Sequence, residues 1–219
     1  LTMKVIAVNG GPRKQWNTAT LLHKALEGAQ SVGAETDLFH LYDLNYKGCI
    51  SCFGCKRKNS SRIGHCVLKD ELTPLLEEVL KCDALLLGSP IYFGNVTGAM
   101  RSFLERLFFS LLSYNEGQRT VFPRKVASGF IYTMNVPEDF LPQLGYEAVF
   151  KANARSLELL NGPSEYLLAT DTYQFDNYSN YEASRFNEQH KAQVRQERFP
   201  QDCRQAFDLG ARLSGRNAE

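Results

Sequence analysis

Short apolar runs alternate with segments of helical periodicity along this chain, and that alternation restricts the fold more than any other feature. The runs are MKVIAVN at 3–9, ETDLFHLY at 35–42, DALLLGSP at 83–90, KVASGFIYTM at 125–134 and SEYLLATD at 164–171. Each has the length of a strand, and the continuous apolar stretch of DALLLGSP suits a strand covered on both faces. Between them Leu21, Leu22, Ala25, Leu26 and Ala29 recur at helical spacing, as do Leu72, Leu75, Leu76 and Val79, and then Met100, Phe103, Leu104, Leu107, Phe108 and Leu111. Further helices are expected at about 144–160 and 182–213. Strands separated by helices imply right-handed crossovers onto one parallel sheet. The expected fold is therefore α/β, a three-layer α/β/α sandwich with five parallel strands. No linker, repeat or low-complexity tract divides the 219 residues, a length that one core can serve, so a single domain is expected over 1–219.

Charge excludes one class of partner. Lys plus Arg number 25 against 24 Asp plus Glu, whereas a phosphate backbone demands several uncompensated cations on one face. The arginines between Arg185 and Arg216 are interleaved with Glu188, Glu197, Asp202 and Asp208, which reads as a solvated helical face. No run approaches the roughly 20 apolar residues of a membrane span. The first apolar run is too short for a signal-peptide core. A cytoplasmic protein is expected, with no nucleic-acid or membrane partner.

Ligands of such sheets bind beyond the carboxyl ends of the strands. The first end is VNGGPRKQWNTAT, residues 8–20. Gly10 and Gly11 permit a tight turn, Pro12 stiffens it, and Asn17 or Thr18 stands where a helix N-cap belongs. Free amides at that helix start, with Arg13 and Lys14 nearby, can hold a phosphate. The loop matches neither the G-x-x-x-x-G-K-[ST] nor the G-x-G-x-x-G pattern. The second end is GSPIYFGNVTGAMRSFLERL, residues 88–107. Its aromatics Tyr92 and Phe93 serve either as core plugs or as one wall for a flat heterocycle. In the second case Gly94 allows close approach and Asn95 bonds the ring.

These two segments, together with KGCISCFGCK and CVLKDEL in this order, resemble the flavodoxin-like NAD(P)H-dependent FMN reductase family, including its iron–sulfur flavoprotein branch. The resemblance covers at least residues 3–110 and implies strand order 2-1-3-4-5. It implies that Gly11, Arg13, Asn17, Thr18 and Ala19 hold the FMN phosphate, and that Pro90, Ile91, Tyr92, Phe93, Gly94 and Asn95 embrace the isoalloxazine. Thr133, Met134 and Asn135, at the end of the fourth run, are a third expected contact by position. Gly11 replaces the family's usual serine, and Trp16 replaces a small residue, either shielding the phosphate or packing on the helix start. The chemistry then belongs to the flavin, and no catalytic side chain is assigned. His23, His40, His65 and His190 sit in unrelated contexts and are read as surface or core residues, with His65 a substitute ligand beside Cys66.

Cys49, Cys52, Cys55 and Cys66 lie in a loop at about 45–68. A C-x2-C-x2-C stagger with a distant fourth cysteine suits a 4Fe-4S cluster better than a zinc site made of two knuckles. Iron–sulfur flavoproteins of the family use a tighter last spacing, and other members keep the GC-x2-C loop without a cluster. A cluster, free structural or redox thiols, zinc and a disulfide all stay open. Cys82 and Cys203 are expected to pack as small hydrophobes. The resemblance implies an FMN-dependent oxidoreductase passing electrons from NAD(P)H, as co-substrate, to a quinone, flavin or other small acceptor. The alternatives are an iron–sulfur carrier with a ferredoxin-like partner and a flavin-binding sensor without turnover. The strongly apolar helix at 99–112 suggests either a subunit interface or a helix buried between the sheet and the C-terminal segment, and the resemblance implies a homodimer or homotetramer.

Overall fold

A computed structural model describes residues 2–215; Arg216 lies outside the described residues. The chain runs β1 (Lys4–Asn9), α1 (Asn17–Ser31), β2 (Glu35–His40), α2 (Thr73–Val79), β3 (Ala84–Tyr92), β4 (Asn95–Val96) and α3 (Gly98–Leu111). It continues as β5 (Val126–Thr133), α4 (Leu141–Leu144), α5 (Tyr146–Leu157), β6 (Asn161–Ala169), α6 (Glu188–Glu197) and α7 (Phe199–Gly215). Five parallel strands lie in the order β2-β1-β3-β5-β6, the expected order once β4 is set aside. β4 adds a sixth, two-residue strand antiparallel to the end of β3. Two boundaries differ from expectation. β6 begins at Asn161 rather than 164, because Pro163 is tolerated in an edge strand. The final helices begin at Glu188, capped by the Asn187 side chain, rather than at 182.

Alternation along the strands splits the core in two. Ile6, Val8, Leu85, Leu87, Phe130 and Tyr132 face α2, α3 and α5, whereas Val5, Ala7, Leu86 and Ile131 face α1 and α7. Both faces are apolar, which is why the central strands read as continuous apolar runs. Cys82 is buried, its thiol pushed up to about 12 by desolvation, as a packed small hydrophobe should be. Cys203 is half-buried at the edge of the α1/α7 core. No helix among the described residues is long and apolar enough to cross a membrane.

α1 and α7 meet through glycines. A Cβ at Gly210 would lie 1.7 Å from the Ala25 carbonyl oxygen, and one at Gly28 would lie 1.9 Å from that of Phe207. The two backbones touch with no room for side chains, and this contact holds α1, and with it the helix start expected to bind phosphate, against the sheet.

Asp202 in the first turn of α7 is buried, and desolvation raises its pKa to about 6 from 3.8. The folded state therefore binds this proton more tightly than the unfolded chain does. Its stabilising contribution is complete below about pH 4 and lost as pH rises through about 6. Asp202→Asn is expected to raise stability at pH 7 by about 2 kcal/mol, on roughly 1.4 kcal/mol per pKa unit with an allowance for screening. The gain should vanish below pH 4 in urea melts across that range.

Candidate flavin site

Three strand ends converge on one hollow of about 150 Å³. Gly11, Arg13, Asn17 and Thr18 line it from the β1 turn, Pro90, Ile91 and Tyr92 from β3, and Thr133, Met134 and Asn135 from β5. The turns are tied together: the Gly10 amide donates to the Gly88 carbonyl at 2.8 Å and the Thr97 hydroxyl to the Gly10 carbonyl at 2.6 Å. The Thr18 and Thr133 hydroxyls meet at 2.7 Å. A Cβ at Gly10 would come within 2.7 Å of the Met100 Cβ, so this turn requires glycine to lie against α3.

The helix start differs from the expected cap. The N-cap is Trp16, not Asn17 or Thr18, and no side chain caps α1. The Thr20 amide takes the Trp16 carbonyl at 2.8 Å, which leaves the amides of Asn17, Thr18 and Ala19 as the open helix terminus. Ala19 contributes through its backbone alone, its side chain being buried in the core. Lys14 pairs with Asp43 at 2.6 Å and is drawn away from the turn.

The other expected ring contacts part company at Phe93. Phe93 and Gly94 both have positive φ, 49° and 80°, and form the two-residue turn of the β3–β4 hairpin. Gly94 therefore serves the turn. Phe93 is fully exposed, and the Asn95 side chain accepts its neighbour Val96's amide at 2.9 Å. Phe93, Gly94 and Asn95 do not line the hollow, whereas Tyr92 does.

Sequence reasoning missed a fourth wall, Thr172, Tyr173 and Gln174. The Tyr173 carbonyl accepts from Trp16 Nε1 at 3.1 Å and from Asn17 Nδ2 at 2.8 Å, and the Gln174 carbonyl accepts from Arg13 at 2.8 Å. Trp16 is thus packed at the helix start, with the Arg13 guanidinium 4.5 Å from its ring centroid. Burial lowers the Arg13 pKa below the ordinary arginine value, against opposing pulls from Tyr92, Tyr181 and Asp176. The signal was YQFDNYSNYE at 173–182, whose Phe175 and Tyr181 stack at 4.1 Å to stiffen this wall. The polar inventory suits a phosphorylated flavin: an open helix terminus at one end and the buried, unpartnered Asn135 Oδ1 at the other.

Cys49, Cys52, Cys55 and Cys66 line a separate hollow of about 20 Å³, filled in by Ile50, Phe53, Val67 and Leu68. That is room for about one water. Among the described residues no group of three or more His, Cys, Asp or Glu side chains stands ready to hold a metal. As arranged, the thiols do not enclose a four-iron cube. His65, the expected substitute ligand, pairs through Nδ1 with Glu77 at 3.0 Å. Burial raises the Cys55 thiol above its usual value despite the neighbouring Lys56 charge.

The loop is held by Arg106, buried on α3, which donates from Nε to Cys66 Sγ at 2.9 Å and to the Lys47 and Leu68 carbonyls at 3.0 and 2.9 Å. Its guanidinium also grips Asp70 at 2.7 Å. Desolvation pushes the Asp70 pKa upward, but the Arg106 bonds and charge outweigh it and leave the carboxyl below its ordinary value. Arg106→Met should cost about 2 kcal/mol, less than the 3–5 kcal/mol for breaking a fully buried pair, because Asp70 keeps a 17% exposed side chain. Proteolysis should then cut first within 45–68. The apolar face of α3 is largely covered within the chain: Leu111 is buried, Phe108 and Leu112 pack on the core, and the Phe109 ring lies 5.7 Å from that of Phe53.

Residues 3–136 match the sequence profile of a family described as NADPH-dependent FMN reductase. An iron–sulfur flavoprotein of Archaeoglobus fulgidus is 35% identical over 127 residues, 58% of this chain and 60% of that protein. One from Methanocaldococcus jannaschii is 35% identical over 104 residues, 48% of this chain and 51% of that protein. The chain thus spans between half and two thirds of the length of these curated relatives. Among solved structures, an NAD(P)H:quinone oxidoreductase from Methanothermobacter marburgensis superposes with a TM-score of 0.71 at 15% identity, covering 97% of this chain and 100% of that one. A Bacillus anthracis azoreductase gives 0.69 at 13% identity, covering 96% and 100%. At these identities the structures speak for the fold alone. The sequence match runs through the first and third strand-end turns and reaches the end of β5, and on that ground the chain belongs to the NADPH-dependent FMN reductase family.

Proposed function

We propose that this protein is an FMN-dependent oxidoreductase that takes electrons from NADPH or NADH and passes them to a quinone, a flavin or another small acceptor. The convergence of three strand-end turns on one hollow, in a chain of this family, carries the reading. Bound FMN would supply a ring that accepts and releases a hydride. The chain's part is to hold and orient it. The amides of Asn17, Thr18 and Ala19, with the positive end of α1 behind them and Arg13 alongside, would take the phosphate. Pro90, Ile91 and Tyr92 would bear on the ring, with Thr133, Met134 and Asn135 at its polar edge. The closed hollow is smaller than the roughly 300 Å³ at which ligand sites begin, so part of the ring would stay open to solvent beside exposed Tyr92, where a co-substrate can reach it. Mixing the purified chain with FMN, NADPH or NADH and a small naphthoquinone should give steady oxidation of the nicotinamide. Absence of turnover with FMN supplied overturns the reading.

A second reading, an iron–sulfur carrier with a ferredoxin-like partner, draws on the four cysteines that share one hollow and on the names of the relatives. It requires the loop at 45–68 to open around a cluster. Anaerobically purified protein would then carry close to four irons and four sulfides per chain, and fewer than about two irons would end this reading.

A further inference from the structure

A second hollow, of about 450 Å³, adjoins the turn after β5 and shares Asn135 with the first. Its volume falls in the range of small-molecule sites, and its walls have their composition: apolar side chains around a few placed polar groups. Val136, Pro137, Phe140, Leu144 and Phe186 supply the apolar part. Phe140 and Leu144 are 51% and 50% exposed, a large uncovered apolar area beside a polar floor.

That floor is a built arrangement. The Asp171 carboxylate accepts a hydrogen bond from His190 Nε2 at 2.5 Å and an ion pair from Lys191. Lys191 is only 4% exposed, and it also donates to the Asn135 carbonyl at 2.9 Å. Asp171 has a φ of 54°, a left-handed conformation that costs energy for a non-glycine residue, and its amide is fastened to the Val136 carbonyl at 2.9 Å. The charges of Lys191 and Asp171 offset one another. His190 is the member left exposed, bonded to Asp171 through Nε2, with Nδ1 as its second polar atom.

We propose that this hollow is the acceptor subsite, that it takes a flat, apolar quinone, and that His190 supplies a proton to the quinone oxygen. The proposal rests on the FMN oxidoreductase reading above and departs from the sequence-based expectation that no histidine takes part. The balance is simple. A quinone becomes a hydroquinone by gaining two electrons and two protons. Bound FMN, once reduced, would supply both electrons and one proton as a hydride, and the other proton would leave protonated His190, which would recover it from solvent. Asp171 fixes the imidazole through Nε2, and Lys191 holds Asp171 in place. The apolar walls suit a flat quinone, Arg185, which also lines the hollow, adds a positive charge to it, and the shared Asn135 would place the quinone next to the first hollow.

The test uses the FMN-loaded full chain with NADPH and two acceptors: a small naphthoquinone, which needs protons, and ferricyanide, which takes single electrons and none. In His190→Gln the ratio of quinone to ferricyanide turnover should fall about 100-fold, the size expected for a lost proton donor. In Leu144→Arg, which puts a charged side chain in the apolar wall, the KM for the naphthoquinone should rise at least about ten-fold, as for roughly 1.4 kcal/mol of lost binding. An unchanged ratio in the first variant or an unchanged KM in the second overturns the proposal. So does loss of bound flavin from His190→Gln, which would give that residue a structural role. If the wild type reduces neither acceptor, the oxidoreductase reading itself fails. If it reduces both while the variants behave as wild type, only the subsite is wrong.

Discussion

Gly210→Val should leave no folded protein at 37 °C. The new side chain would drive into the Ala25 carbonyl, 1.7 Å from where its Cβ must stand, and the neighbouring Gly28–Phe207 contact keeps α7 from sliding aside. Overpacking commonly costs about 1–3 kcal/mol when side chains can yield. Here the obstacle is backbone, so a loss above about 5 kcal/mol is expected, comparable to the whole stability of a small domain. Expression in soluble form and a thermal melt check this. Gly210→Ala, which puts the same Cβ against that carbonyl, should also lower Tm steeply. A normal melt for the valine variant would mean that α1 and α7 are not in backbone contact.

Asn17→Asp should keep the fold and lose the cofactor. Asn17 is buried, donates from Nδ2 to the Tyr173 carbonyl at 2.8 Å and accepts from Arg195 at 3.0 Å. A carboxylate keeps the second bond and sits well in the first turn of a helix; it gives up the first and sets an oxygen near the Tyr173 carbonyl, which Trp16 Nε1 still holds. Toward a bound phosphate its charge is repulsive: two unit charges about 6 Å apart interact by about 3 kcal/mol at an effective dielectric constant near 20, and a phosphate monoester carries nearly two charges. Arg195 offsets part of this. The expected loss of FMN affinity is about 1000-fold, near 4 kcal/mol. Riboflavin, which has no phosphate, should bind the variant and the wild type with similar affinity. Flavin fluorescence titrations of both compounds separate a phosphate effect from general damage to the site.

The fold could be read from the sequence because both faces of the sheet are covered, so Val5–Val8 and Ala84–Leu87 appear as unbroken apolar runs. The β4 hairpin was missed because its turn is Phe93–Gly94. The sequence suggests Gly94 as a turn residue, but the left-handed Phe93 carries no local signal. Phe93, Gly94 and Asn95, ring contacts by the resemblance, form that hairpin outside the lining of the hollow. The phosphate turn was legible in its glycines and the helix start, whereas its cap was not, since Asn17 and Thr18 are common cap residues and only the extended backbone of Trp16 displaces them by one position. The wall at Thr172–Gln174 lies more than 150 residues from the turn it braces. Its carbonyls do the bonding, and a carbonyl leaves no trace in side-chain pattern. The cysteine loop is the opposite case: its spacing is conspicuous, yet packing by Phe53, Val67 and Leu68 decides what the thiols can enclose.

The central claim is that one hollow, built from the ends of β1, β3 and β5, holds FMN. A crystal structure of the protein grown with FMN tests it most directly. The phosphate should be bonded to the amides of Asn17, Thr18 and Ala19, with the ring against Pro90–Tyr92 and reaching Asn135. FMN seated elsewhere, or this hollow still closed over by Tyr173 and Gln174 in crystals saturated with the cofactor, would contradict the account.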